Sequence, residues 1–88
     1  MTKEEMIADL EYRRTKTREI AELLQVTPVT LENKELILEK AAEFTQLIED
    51  GLVIHDANPD FFTGMGYCGD KKRFTEIIEF KRVRAAKL

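Results

Sequence analysis

The stretch TREIAELLQVTPVTLENKEL, residues 17–36, decides how the chain divides. Ile20, Ala21, Leu23 and Leu24 keep helical spacing as they approach its middle. Pro28 then interrupts. Its ring would collide with the carbonyl four residues back, its nitrogen cannot donate, and Thr27 before it is pushed out of helical angles. A break is expected near Val26 and Thr27. Thr27 as N-cap with Pro28 at the first helical position reads as a restart, and from there to Asp50 no residue is a helix breaker. Leu31, Ile37 or Leu38, Ala41, Phe44, Leu47 and Ile48 supply an apolar stripe, and Gly51 supplies the stop.

Toward the N-terminus, Thr2 is placed to cap a helix, with Glu5 at capping-box distance and Met6, Ile7 and Leu10 on one face. Whether one helix or two precede residue 25 depends on the polar run YRRTKTR (12–18) and stays open. Beyond Gly51, the short apolar LVIH (52–55) reads as a strand. The turn-rich DANPDFFTGMGYCGD (56–70) follows, in which Asn58 and Pro59 open a single helical turn that Gly64 ends. The last segment fits two descriptions: Phe74, Ile77 or Ile78, and Ala85 keep helical spacing, whereas Ile78, Phe80 and Arg82 alternate as a strand does.

At 88 residues and 43% hydrophobic, the chain is expected to form one small domain, 1–88, around one modest core. The charged content of 35%, with four Gly and two Pro, argues against disorder. The longest apolar runs, LIL at 36–38 and LVI at 52–54, are too short to cross a bilayer. The start MTKEEMIADL places acids where a signal peptide needs positive charge, and the single cysteine suits a reducing compartment, so a cytoplasmic setting is expected. Charge is unevenly spread. Residues 1–30 hold five Lys/Arg and six Asp/Glu, residues 31–70 two and nine, and residues 71–88 seven and two. An acidic middle therefore precedes a basic tail.

Residues 17–36 resemble the helix-turn-helix of bacterial and phage DNA-binding regulators, with Ala21 where the helices approach and apolar residues at 20, 24 and 31 holding the crossing. Gln25 stands where that family often has glycine, and Lys34 where it is usually apolar. The resemblance implies a mainly α fold with a helix-turn-helix core. It extends to a winged version (α+β) if LVIH and FTEIIEFKRV pair as a short C-terminal hairpin; the alternative is an all-α helical bundle. It also implies a small non-enzymatic regulator of transcription that binds duplex DNA with a helix at 27–35. Thr27, Thr30 and Asn33 would meet base edges, while Arg13, Arg14, Lys16 and Arg18 on one side and Lys71, Lys72 and Arg73 on the other would neutralise phosphate. Glu32 and Glu35 on the same helix oppose phosphate. The competing expectation is a protein-binding module or inhibitor, homodimeric, that works through the acidic long helix and the basic tail.

No catalytic, cofactor or metal residues are expected. GMGYCG (64–69) spells a dinucleotide-loop pattern, but no buried strand precedes it and the acid that should follow falls past the end of the chain. Asp56, Asn58 and Asp60 match the first positions of a calcium loop, yet Phe61 replaces its glycine and Tyr67 its final glutamate. His55 and Cys68 are one histidine and one thiol, short of a zinc site, and nothing in the sequence brings them together as a nucleophile pair. Phe61, Phe62, Met65 and Tyr67 crowd one loop, as core cover or as a contact patch.

Overall fold

The computed structural model describes residues 2–57 and 71–88, without the side chains of residues 55–57 and 71. Three helices fill it: α1 (Lys3–Val26), α2 (Lys34–Ala57) and α3 (Lys71–Ala86). The expected short helical turn at 58–64, the glycine loop, the calcium-loop oxygens of Asn58 and Asp60, Cys68 and the aromatic cluster at 61–67 lie outside the described residues.

α1 starts as the sequence predicts. Thr2 is extended and its hydroxyl accepts from the Glu5 amide at 3.2 Å, while Glu4 and Glu5 place negative charge at the positive end of the helix dipole. The polar run does not interrupt it. Asp9 pairs with Arg13 at 2.8 Å one turn apart, and the Thr17 hydroxyl donates to the Arg13 carbonyl at 2.8 Å, so this threonine is buried with its polar group satisfied.

The restart differs from expectation. Thr27 closes α1 and does not open a second helix: it is extended at φ −91° and ψ 121°, and its amide donates to the Leu24 carbonyl. No helix covers 27–33; α2 begins only at Lys34. Thr30 accepts the Asn33 amide at its hydroxyl (3.1 Å), the Asn33 side chain donates back to the Pro28 carbonyl (3.2 Å), and the Asn33 carbonyl accepts the first α2 bond from Ile37 (2.9 Å). Asn33 therefore stands in the cap position that Thr27 was expected to hold. β-branched Val29 and Thr30 favour the extended path, which also lets Val29 pack against the core.

α2 runs through Gly51. That glycine is buried, fourteen residues after Ile37 and seven after Phe44, on the inward face. Glycine inside a helix costs about 1 kcal/mol relative to alanine, and here the helix continues past it with Leu52 and Ile54 half-buried. The expected LVIH strand is consequently helical. A strand there would need a ladder partner, and among the described residues there is no strand. Residues 73–83 are also helical, which removes the C-terminal hairpin and with it the winged form.

The three helices pack as an up-down-up bundle. α2 folds back along α1, since Arg13 Nη1 donates to the Leu47 carbonyl at 3.1 Å, far from the loop that joins them. α3 returns beside both, with Thr75 next to Phe44 and Ile48 and with Arg84 and Leu88 next to Val29. This alignment along one axis, 44 × 20 × 17 Å overall, is not the steep crossing of a helix-turn-helix. The core takes Ile20, Ala21 and Leu24 from α1, Ile37, Ala41 and Phe44 from α2, and Phe74, Ile78 and Ala85 from α3. One fully enclosed alanine per helix lets the backbones approach closely. Leu31, expected to hold the crossing, is 73% exposed, and Ile37 takes its place.

Candidate interaction surface

The face between α1 and α3 is built by α3's own periodicity. Arg73, Glu76, Ile77, Phe80 and Lys81 fall at i, i+3, i+4, i+7 and i+8, so one side of the helix carries all five. With Gln25 of α1 they line an open cleft of about 440 Å³. Its floor is apolar: Ile77 is half-buried, and Phe80 is 59% exposed. Arg84, one turn further, sets its guanidinium 5.3 Å from the centre of the Phe80 ring. That cation–π contact holds a charge over the aromatic face. Arg84 lines a separate hollow of about 290 Å³ with Val29, Lys87 and Leu88, nearer the loop end of the bundle.

Lys81 has a different task. Its ammonium donates to the Thr27 carbonyl at 2.9 Å, where the last turn of α1 holds no basic residue of its own. A cation from α3 thus satisfies an orphan carbonyl and faces the negative end of the α1 dipole.

The predicted phosphate contacts separate. Arg13 is a strut between α1 and α2, bonded to Asp9 and Leu47, with its side chain 15% exposed. Arg14 is half-buried. Lys16 pairs with Glu19 at 3.6 Å and lies 5.9 Å from the Tyr12 ring centre. Arg18 is exposed and, by helical spacing, falls within about 20° of Gln25 on the side of α1 that borders the cleft. Lys72 and Arg73 are exposed at the start of α3; the Lys71 side chain lies outside the described residues. Thr27, Thr30 and Asn33 do not form the expected reading face. The Thr27 hydroxyl donates to the Leu23 carbonyl at 2.6 Å, and the other two close the loop on itself.

The exposed side of α2 has the opposite sign. Glu35, Glu39, Glu43, Glu49 and Asp50 face solvent there, with Lys40 offsetting only Glu43 at 3.2 Å. On α3, Glu79 accepts two bonds from Arg82 (3.0 and 2.7 Å), which hold its carboxyl below the ordinary glutamate range and the guanidinium above its own. Arg82 is thereby paired, leaving Arg18, Arg73, Arg84 and Lys87 as the cations around the cleft beside Lys81, which is bonded to Thr27, and the one lining acid, Glu76.

Ile77, Phe80, Lys81 and Arg84 did not stand out in the sequence, because their grouping follows only if residues 73–84 are helical. Among the described residues no three His, Cys, Asp or Glu side chains gather as metal ligands, no buried side-chain nitrogen or oxygen lacks a hydrogen bond, and no helix is long and apolar enough to cross a membrane. His55 and Asp56 sit on the last turn of α2 with side chains outside the described set. Comparison with known proteins finds no match to a protein-family model, a curated protein or a solved structure.

Proposed function

We propose that the protein is a small non-enzymatic regulator that binds a protein partner, taking an acidic amphipathic helix along the cleft between α1 and α3. The observation that carries this reading is Phe80: a large aromatic, 59% exposed on a helix whose core face is elsewhere, covered on one side by Arg84, in a cleft where Arg73 and Lys81 outnumber the one acid, Glu76. Aromatic and arginine side chains are the residues that concentrate binding energy in interfaces, and the surrounding charge selects an acidic partner and guides its approach. The single cysteine fits a reducing, cytoplasmic setting.

The test is a titration of the labelled protein, followed by amide shifts, with a peptide of Leu/Glu repeats as the acidic helix. Shifts should concentrate on residues 73–84, and Phe80→Ala should weaken binding by about tenfold or more. A peptide that leaves those amides unmoved at roughly 1 mM overturns the reading.

Duplex DNA is the second reading. It is favoured by Arg18, Lys72, Arg73 and Lys87, which are exposed and form no ion pair with another described residue. Such contacts would neutralise phosphate without reading bases, since Thr27, Thr30 and Asn33 are engaged within the loop. Affinity for a short duplex should then fall steeply with salt, and removing Arg73 should flatten the slope by about one unit. Absence of retention at low salt eliminates it.

A further inference from the structure

Resting on the cleft reading, we infer that the acidic helix which fits it is α2 of a second copy of this chain, and that the copies join head to tail. α2 is the acidic amphipathic helix the structure itself displays. Leu36, Glu39, Glu43, Gln46, Asp50 and Val53 recur at alternating spacings of three and four, forming a stripe on the side of the helix away from Ile37, Ala41 and Phe44. Leu36 and Val53, 42% and 68% exposed, put an apolar residue at each end of that stripe with acids between. The cleft has its apolar floor at Ile77 and Phe80, with Arg73, Lys81 and one acid, Glu76, along its lining and Arg84 over the Phe80 ring, so cations outnumber the acid. Leu36 to Val53 spans about 26 Å of α2, and Arg73 to Ala86 about 20 Å of α3.

Geometry fixes the type of assembly. In a three-helix bundle the outer ridge of one helix lies opposite the groove between the other two. The acidic ridge and the basic cleft therefore occupy opposite sides of each molecule, and one pair of copies cannot satisfy both at once. Each contact leaves a free ridge at one end and a free cleft at the other, which is a heterologous contact that grows past the dimer into an open chain or, where the rotation closes, a ring. Ridge-into-cleft pairing of unlike charges also makes the association weaken as salt rises.

The test is light scattering on the full chain across concentration, at roughly 20 mM and roughly 500 mM salt. Wild type should grow past the dimer at low salt and shrink at high salt. Two variants, R73A/R84A and E39A/E43A, alter exposed positions, and helicity by circular dichroism verifies that each is folded. Each alone should be monomeric, because one has lost its cleft and the other its ridge. Mixed in equal amounts they should form a species of twice the monomer mass and no larger, since one intact cleft meets one intact ridge and both ends are then capped. A wild type that stays monomeric up to roughly 1 mM, a mass that stops at the dimer, or a mixture that restores nothing overturns the inference. If self-association fails while the Leu/Glu peptide still moves residues 73–84, the cleft keeps its partner class and only the second copy is eliminated; if both fail, the cleft reading falls too.

Discussion

The ammonium of Lys81 donates to the carbonyl of Thr27 at 2.9 Å, across 54 positions of sequence. It ties the end of α1 to the middle of α3 and supplies a cation that the last turn of α1 lacks. A hydrogen bond to a charged group contributes about 1.5–3 kcal/mol when well shielded, and this one is only partly buried. Lys81→Met should therefore cost about 1 kcal/mol, read as a fall of about 4–8 °C in Tm, with faster amide exchange in the last turn of α1. An unchanged Tm would mean that solvent serves Thr27 as well as Lys81 does.

Leu24 and Leu31 flank the proline at similar distance and face opposite fates. Leu24 is fully buried, so Leu24→Ala should cost about 2–5 kcal/mol. Leu31 is 73% exposed, so Leu31→Ala should change stability by less than about 0.5 kcal/mol. Urea unfolding of the two variants checks this, and equal losses would restore the helix crossing that the structure replaces with Ile37.

Arg13 and Arg18 look alike in sequence but have different tasks. Arg13→Ala removes the strut to Asp9 and Leu47 and should cost about 1–2 kcal/mol of stability. Arg18→Ala should leave stability within about 0.5 kcal/mol and act only on binding to the cleft. Paired unfolding and peptide titrations of both variants separate the roles.

Glu79 accepts its two bonds from Arg82, which lower its pKa from the ordinary value of 4.5. A carboxylate whose folded pKa lies below its unfolded one contributes stability above the unfolded pKa and loses it as pH falls through the folded one. The contribution should therefore fade below about pH 4.5, and both side chains are about half exposed, so it is small. Carboxyl-carbon NMR should place the Glu79 midpoint below the ordinary glutamate value, and Arg82→Gln should raise it. A midpoint indifferent to Arg82 would refute the pair.

Much of the helical content was legible in local signals: the Thr2 cap, the break before Pro28, and the apolar stripe through Ile37, Ala41 and Phe44. The site was less so. The acidic α2 and basic last segment were visible as charge, but Phe80 and Arg84 become neighbours only when 71–86 coils, and that segment's apolar residues fit two periods equally well.

By itself the sequence determined where the backbone must leave the helix and which residues were apolar enough to bury, because proline geometry, capping and hydrophobicity act within a few residues. Tertiary structure decided what happened next. Thr27 suits either the start or the end of a helix, and it became an end because Val29 had core to reach and Lys81 arrived from α3 to take its carbonyl. Gly51 suits either a stop or an inward face, and it became an inward face because no strand among the described residues offers the turn beyond it a ladder partner, leaving its amides and carbonyls to be satisfied within the helix.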